Sequence, residues 1–539
     1  MISGIGKILA GNKTDLAIIA ILFILARGLT LVNDGVYWDD WTTYNCKGEV
    51  IQNTFMERGT PLKGIMHSYL KDSPIAYRLL SFISLLSVSI ILFLIISTIK
   101  EVEPADRFFI VTLFALFPVN FAAVSLAITP YLLCLFLFSL GSLFLVFYLS
   151  GRKAIYQIVS LLLFFISFQY EALLIFYLVP FLLIIYHENI FKNLPGSLAG
   201  LKKYPAFILL PFVYWTLRQI FMQPYGFYAG LNKVELRYII LAPINAIESV
   251  FNNLFFPFIQ FFLEQDAGLK FSAFFLILAI FLYNYLKKRV SLPESKAGIK
   301  IFFLGVLIYF LGVFPFLAVG RNGFYFGNGW GSRDQLLVPL GAALIFIYGS
   351  KIVFEEFGLN RRILALFLSF LIVFSVSANI INCLVFQRHW FKQLSLISVF
   401  KNSSIVHDNT TFLVDDQALS LNPFGKPLLF FEYTGMMKYA FGDEKRFVLD
   451  INEFGNKETY PEIAREFERF LRYPEYNMSQ YTFKLPEYII RIKPSTKELS
   501  LRMSLKLLAL KLIKREEFSK RLQGLVAVEY IPLPYSRAQ

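Results

Sequence analysis

Long runs of apolar residues, separated by short polar or cationic stretches, occupy residues 1–386 of the chain. A helix needs about 20 apolar residues to cross a hydrocarbon core of roughly 30 Å, so the shorter runs would rely on flanking residues for their full length. The pattern predicts about eleven membrane-spanning helices. They are residues 16–32, 75–99, 108–121, 126–149, 155–168, 172–186, 206–221, 269–286, 301–319, 336–353 and 363–386.

Lysine and arginine are concentrated in alternate loops of this series, for example at Lys100 and Arg107 and at Arg152 and Lys153. Because cationic loops remain in the cytoplasm, the N-terminus is predicted inside and the C-terminus outside. Residues 238–263 are also apolar, but they contain asparagine, glutamate and two prolines. Counting them as a span would place the cationic residues 287–289 outside. We interpret this segment as helices that lie at the outer interface or re-enter it.

The chain changes character at Gln387, where apolar runs shorten and charged and turn residues become more frequent. Segments typical of β-strands occur at residues 410–416, 446–450 and 526–533. About 150 residues are enough for a folded domain. We predict an all-α polytopic membrane module, residues 1–386, followed by an α/β extracytoplasmic domain, residues 387–539. A basic amphipathic helix is predicted at residues 499–522, and it would pack on the domain core or lie on the membrane surface.

Composition supports a membrane protein. Hydrophobic residues make up 56% of the 539 residues, and the mean hydropathy is +0.57, which is more apolar surface than a soluble core could bury. The net charge of +14 falls largely in the loops and the last quarter of the chain, which favours anionic lipid over nucleic acid as a partner. The three cysteines argue against a disulfide framework. We expect a multi-pass protein of the inner or plasma membrane.

Charged side chains from distant parts of the chain are predicted to meet on the outer face. Asp39 and Asp40 stand in the first outer loop, residues 32–45, among aromatic residues. Arg321 and Arg333 lie in a glycine-rich stretch between the ninth and tenth predicted spans. The same face carries further side chains suited to binding a sugar or a lipid chain, which are Trp38, Trp41, Glu171, Tyr325 and Trp330.

Carboxylates and guanidiniums on one face fit a glycosyl transfer. A carboxylate beside an acceptor hydroxyl can take its proton as the oxygen attacks. A guanidinium can hold the phosphate that leaves, because paired donors match its oxygens and balance its charge. The sequence has no phosphate-loop motif and no nucleophile elbow, which argues against an ATPase or a serine hydrolase.

This arrangement resembles the C superfamily of integral-membrane glycosyltransferases. The resemblance consists of the acidic pair Asp39 and Asp40, the multi-span body, the arginine before a late span in S-R-D-Q-L-L-V-P-L, and the C-terminal outer domain. Members take sugars from polyprenyl-phosphate or dolichyl-phosphate carriers. The resemblance implies that Asp39 or Asp40 is catalytic and that Arg321 or Arg333 contacts the donor phosphate. A second acidic motif, which many members show after the third span, is absent here, and Glu171 is the nearest substitute.

We therefore predict an inverting membrane glycosyltransferase that moves a sugar from a polyprenyl-phosphate donor to a glycan, lipid or protein acceptor. Asp39 is the first choice for general base. Asp40 is its partner, which would orient the acceptor or bind a divalent metal ion (Mg²⁺ or Mn²⁺) if one is used. Arg321 and Arg333 would hold the leaving phosphate.

Other interpretations stay open at this point. A polysaccharide ligase or polymerase that uses a lipid pyrophosphate would also need outer arginines, but not the acidic pair. A lipid-sugar transporter or flippase is expected to show repeats or polar residues near the middle of the membrane. Single residues also have simpler explanations: the aspartates could cap a helix near Thr42, Glu171 could be a solvated turn residue, and the arginines could snorkel from helix ends. Arg27, within the first span, could orient the acidic loop.

Overall fold

A computed structural model of the chain describes residues 9–188, 202–255, 269–291, 295–321, 329–455, 460–471, 480–495 and 500–533. Helices account for most of residues 13–408. Their bounds are α1 Lys13–Arg27, α2 Asp40–Thr43, α3 Gly48–Glu57, α4 Pro61–Leu70, α5 Pro74–Ile96, α6 Pro104–Leu116, α7 Thr129–Gly151, α8 Ala154–Ser167, α9 Ala172–Phe176, α10 Leu178–His187, α11 Pro205–Phe221, α12 Leu236–Val250, α13 Leu269–Leu286, α14 Ser295–Leu317, α15 Val338–Glu356, α16 Arg361–Lys401 and α17 Ser404–Asp408.

Helix covers most of ten of the eleven predicted spans, because long runs of leucine, isoleucine, phenylalanine and alanine carry few breakers. The third predicted span, residues 108–121, is helical only as far as Leu116. Proline is the first residue of α4, α5, α6 and α11, a position where its missing N–H leaves no helical hydrogen bond unmade. Six helical segments are long and apolar enough to cross a membrane, and four shorter apolar helices accompany them in the described part of the chain. The chain is a helical membrane protein. The six segments are Lys13–Val32, Pro74–Ile96, Leu126–Gly151, Ala297–Leu317, Val338–Glu356 and Arg361–Lys401.

Helix α16 runs without a break through the predicted boundary at residues 386 and 387. Its first half belongs to the large apolar core of the membrane helices, and its second half belongs to a second core. This second core also holds Tyr37 and Trp41 of the first loop together with strands from the last 130 residues or so of the chain. The two parts are therefore joined by one continuous helix and by the first loop, and the division into two domains stays a prediction.

A small four-stranded sheet lies in the C-terminal part. Its strands are β1 Thr411–Asp416, β2 Phe447–Asp450, β3 Tyr488–Pro494 and β4 Val526–Pro532, in the order β2-β1-β3-β4. Strand β1 pairs in parallel with β2 and β3, and β3 pairs antiparallel with β4. The register places Phe412 opposite Val448 and Tyr488. The helices of this part are α18 Phe430–Phe441, α19 Ile451–Phe454, α20 Tyr460–Leu471, α21 Leu501–Ile513 and α22 Arg515–Gln523.

Two ambiguous segments of the sequence have distinct structures. Within residues 238–263, α12 continues into a π-helical turn, Phe251–Phe255, and the remainder lies outside the described residues. The exposed face of α12 is mostly apolar, with Ile240 and Ile244 both largely exposed, which suits contact with lipid. The single helix predicted at residues 499–522 is instead two helices, α21 and α22, broken at Lys514. Leu507 and Leu508 of α21 are buried in the second core.

Candidate functional site

The first loop, residues 32–45, is folded tightly between membrane helices. The side chain of Asn33 accepts hydrogen bonds from the Gly35 backbone at 2.8 Å and from the Tyr37 hydroxyl at 2.9 Å. The Tyr37 hydroxyl also lies 2.8 Å from the carbonyl oxygen of Phe386 in α16. A side chain at Gly35 would collide with Tyr37, so only glycine fits this turn. Arg78 of α5 donates to the Gly35 carbonyl at 2.9 Å and fixes the loop from the other side.

Asp40 is fully buried, and its carboxylate is occupied by protein donors. It accepts hydrogen bonds from the Tyr37 N–H at 3.1 Å, the Ser125 hydroxyl at 2.5 Å, and the N–H groups of Leu126 and Ala127, both at 2.9 Å. Burial raises the pKa of Asp40 to about 6, while nearby Arg78 and these hydrogen bonds oppose the rise. Asp40 therefore anchors the first loop to the α6–α7 connection.

Asp39 points away from this anchor and faces Arg333. One of its carboxylate oxygens lies 3.9 Å from a guanidinium nitrogen of Arg333, which is an electrostatic contact rather than a hydrogen bond. The Asp39 side chain is 34% exposed and that of Arg333 is 29% exposed. The Arg333 guanidinium lies 4.5 Å above the ring of Trp330. Asp39 also does not cap α2, because its side chain makes no capping hydrogen bond. An acid and a cation thus face each other at a surface that a substrate can reach.

The segment that carries Arg333 is a 3-10 helix, Trp330–Gln335, held from two sides. The Ser332 hydroxyl accepts a hydrogen bond from the Ala122 N–H at 2.7 Å, and Gln335 accepts one from Asn253 at 2.7 Å. Its Asp334 pairs with Arg321 at 3.0 Å. The two predicted arginines therefore approach the same carboxylate, since Asp334 also lies 3.7 Å from Arg333.

Trp38 connects the first loop to both the arginine segment and the C-terminal part. Its ring centroid lies 5.4 Å from that of Trp330 and 5.1 Å from that of Phe386. Its backbone has φ of 50°, the left-handed region, which costs a bulky residue on the order of 1–3 kcal/mol. The backbone N–H of Trp38 donates to the Glu432 carboxylate of α18 at 3.2 Å. Glu432 thereby helps to hold Trp38 in a conformation that turns Asp39 toward Arg333.

Glu432 is a buried carboxylate in the same cluster. Its second oxygen accepts a hydrogen bond from the Leu429 N–H at 3.0 Å, at the start of α18. Burial raises the pKa of Glu432 to about 7; the two backbone hydrogen bonds lower it, and the neighbouring Asp39 and Asp40 raise it further. Glu432 therefore titrates near neutral pH.

We expect Glu432 to make stability depend on pH between about 5 and 8. A carboxyl whose folded pKa lies above its unfolded value contributes stability that is complete below the unfolded pKa and is lost as the pH rises through the folded pKa. Thermal unfolding of the purified chain and of Glu432→Gln should thus show the wild type gaining stability, relative to the variant, as the pH falls from 8 to 5. The exposed Glu529 gives a control, because Glu529→Gln should leave the pH profile unchanged. Parallel pH profiles of wild type and Glu432→Gln would contradict the assignment.

The remaining predicted site residues lie elsewhere or outside the description. Trp41 is buried, donates from its indole to Gln393 of α16 at 3.1 Å, and packs against Trp390. Glu171 forms an ion pair of 2.6 Å with Arg218. Tyr325 falls outside the described residues. The structure thus brings Asp39, Arg333, Arg321, Trp38 and Trp330 together, and it places Trp41 in the packing beneath them.

The carboxylates near the first loop do not fit a divalent metal ion. Asp40 accepts two hydrogen bonds on each of its carboxylate oxygens, and each oxygen of Glu432 accepts one from a backbone N–H. Asp39 lies beside a cationic guanidinium. Mg²⁺ and Mn²⁺ prefer several oxygen ligands. Among the described residues, no group of three or more histidine, cysteine, aspartate or glutamate side chains could hold a metal.

Sequence reasoning missed the groups that hold the site in place. The segment with Ser125, which donates to Asp40, contains no recognisable sequence motif. Glu432 lies almost 400 residues from its partner Trp38, and the sequence around it does not mark it as a site residue. Only the tertiary fold reveals both. Comparison with known proteins adds nothing further, since no family model matches the chain and no curated protein is significantly similar to it.

Proposed function

We propose that this chain is a membrane glycosyltransferase of the C-superfamily type, which moves a sugar from a polyprenyl-phosphate donor to an acceptor hydroxyl. In this proposal the eleven apolar helices span the membrane, the N-terminus is cytoplasmic, and the first loop and the C-terminal part are extracytoplasmic. The acceptor is a glycan, a lipid or a protein. The concentration of lysine and arginine in alternate loops, which this arrangement places together on the cytoplasmic side, supports this orientation.

The observation that carries the proposal is the pair formed by Asp39 and Arg333. Both side chains are partly exposed and separated by 3.9 Å, so neither is fully engaged by the other. Asp40, by contrast, is buried and saturated with donors. This difference supports Asp39, rather than Asp40, as the acid that acts on the substrate in this proposal, while Asp40 holds the loop.

The proposed reaction is a single displacement with inversion. The acceptor oxygen forms a bond to the anomeric carbon, the bond from that carbon to the phosphate oxygen breaks, and Asp39 takes the hydroxyl proton. The bonding electrons leave with the lipid phosphate, which gains negative charge. Arg333 balances that charge. Arg321 supplies a second guanidinium nearby, because both arginines contact Asp334. The indole faces of Trp38 and Trp330 offer a flat surface for the sugar ring.

Replacing Arg333 with alanine is expected to raise the KM for the lipid-phosphate donor by about tenfold or more. A hydrogen bond to a charged group contributes about 1.5–3 kcal/mol, and each 1.4 kcal/mol is tenfold. The measurement is sugar transfer in proteoliposomes at varied donor concentration. Arg237→Ala is a matched control, because Arg237 is exposed on α12 and pairs with Glu235.

Two results would count against the proposal. An unchanged donor KM in Arg333→Ala would remove this residue from the donor site. Movement of the intact lipid-linked sugar across the bilayer, with no lipid phosphate released, would instead identify a flippase.

A further inference from the structure

Helix α21 is tied to the membrane helices at both of its ends. At its N-terminal end, Leu501 belongs to the large apolar core of the membrane helices, and Leu505 packs against that core. At its C-terminal end, Lys511 forms an ion pair with Asp34. Asp34 lies two residues after Lys13–Val32, a segment long and apolar enough to cross a membrane. The C-terminal end of α21 is therefore held at the boundary of the hydrocarbon core.

The face of α21 that packs on the membrane helices continues past them. With 3.6 residues per turn, the Leu512 side chain points within about 20° of Leu501 and Leu505, so the three form one stripe. Leu501 is buried, whereas Leu512 is 64% exposed and its neighbour Ile513 is 78% exposed. In the described part of the chain, the end of this stripe is thus left uncovered by protein at the level of the bilayer surface.

Two adjacent exposed aliphatic side chains are unusual in the C-terminal part. Among the described residues after Lys401, the other large hydrophobic residues that are exposed are Leu429 and Tyr439, and both are less exposed than Leu512. Apolar surface gains free energy when it leaves water, and exposed apolar residues that adjoin one another mark an interaction site more often than single ones do. The nearest apolar medium at the end of α21 is the lipid bilayer.

The charges around this end favour an anionic surface. Helix α21 and the two residues after it carry five cations and no carboxylate. Arg502 and Lys506 are exposed on the same side of the helix as Ile513, and Lys514 and Arg515 follow it directly. Lysine and arginine keep their stems in an apolar layer while their charged ends reach lipid phosphates, and each adds attraction to an anionic membrane. Anionic phospholipid supplies both the apolar medium and the negative charge.

We infer that the tip of α21, which we define as Leu512 and Ile513 with the cations around them, docks on the anionic phospholipid surface of the bilayer. Interfacial helices bury their apolar face about 5–10 Å into the boundary between headgroups and acyl chains. The carboxylates of Glu516 and Glu517, in the first turn of α22, end the cationic surface. The inference does not depend on sugar transfer.

The test places a fluorescent label on the tip of the full chain in lipid vesicles. The three native cysteines are buried, so Ile513→Cys introduces an accessible thiol, and the chain without it gives the background labelling. Asp408→Cys is the matched control, because that side chain is 72% exposed and lies past the far end of α16. In vesicles of phosphatidylglycerol and phosphatidylcholine, a lipid nitroxide near the headgroup should quench the label at residue 513 several-fold more than the label at residue 408.

A comparison of vesicles tests the class of lipid. Replacing phosphatidylglycerol with phosphatidylcholine should weaken the quenching at residue 513 several-fold. The double substitution Arg502→Gln with Lys506→Gln should weaken it similarly in the anionic vesicles. Lys493→Gln, which removes an exposed cation of β3, is the control and should leave the quenching unchanged. Equal quenching in the two kinds of vesicle would overturn the assignment to anionic lipid.

Other outcomes would overturn the docking itself. Quenching at residue 513 no stronger than at residue 408 would show that the tip lies in water. A label at residue 513 that is shielded from water but not quenched by lipid would show that protein covers the tip. If Ile513→Cys lowers the thermal midpoint, Leu512→Cys provides the same measurement at the adjacent exposed position.

Discussion

Asp39→Asn is expected to lower the rate of sugar transfer by about 10²–10⁴-fold, the usual contribution of a general base. The amide keeps the size and polarity of the side chain but cannot take the acceptor proton. The donor KM should change little, since the contact of Asp39 with Arg333 is long, at 3.9 Å. The measurement is the initial transfer rate in proteoliposomes with equal amounts of folded protein, together with the thermal midpoint of each variant.

The neighbouring Asp40 gives the matched control for this experiment. Asp40→Asn would turn an amide N–H₂ toward groups that are themselves donors, namely the N–H groups of Leu126 and Ala127. An unsatisfied buried donor costs about 1–3 kcal/mol, so this variant should be less stable than the wild type. Its transfer activity should fall only in proportion to the loss of folded protein. If Asp39→Asn transferred sugar within threefold of the wild-type rate while folded, Asp39 would not be the base.

The helices were predictable from sequence, whereas the connection between the two parts was not. Runs of apolar residues specify helices because the bilayer leaves the backbone few alternatives. Composition changes at Gln387, yet the helical period continues, because polar residues after that point face the second core and not solvent. Strand β3 was missed because Arg491 and Lys493 interrupt its apolar pattern. Both charges are paired across the sheet, with Asp415 and Glu529.

For the candidate site, the sequence could predict which residues lie on the same side of the membrane, but not the contacts between them. Assigning loops to one side of the membrane grouped Asp39 with Arg321 and Arg333, which the fold places near one another. Local sequence could not separate Asp39 from Asp40, because the difference lies in the donors to Asp40, which are the Ser125 hydroxyl and the N–H groups of Leu126 and Ala127. These residues are distant in the chain and belong to a segment without acidic residues. Buried partners far apart in the chain leave no periodic signal.

The junction between the membrane helices and the sheet depends on one buried cation. Lys392 of α16 donates to both carboxylate oxygens of Asp416 at 2.8 and 2.5 Å, to the Ala418 carbonyl at 3.1 Å and to Asn422 at 2.8 Å. Neither Lys392 nor Asp416 is exposed. Asp416 also accepts a hydrogen bond from Tyr433 of α18 at 2.9 Å. This network fixes the sheet, and α18 with Glu432, against the helix that carries Phe386.

Lys392→Met is therefore expected to destabilise the chain by about 3–5 kcal/mol, because it leaves Asp416 charged and buried without its cation. The double variant Lys392→Met with Asp416→Asn should recover part of that loss, since removing the second charge removes the uncompensated ion. Unfolding of each variant, followed by tryptophan fluorescence, gives the interaction energy from the double-mutant cycle. Lys493→Met is the control, because the Lys493–Glu529 pair is exposed and such pairs contribute about 0–1 kcal/mol. Equal decreases in the free energy of unfolding for Lys392→Met and Lys493→Met would contradict this role of Lys392. Apolar packing alone would then hold Glu432 in its position beside the first loop.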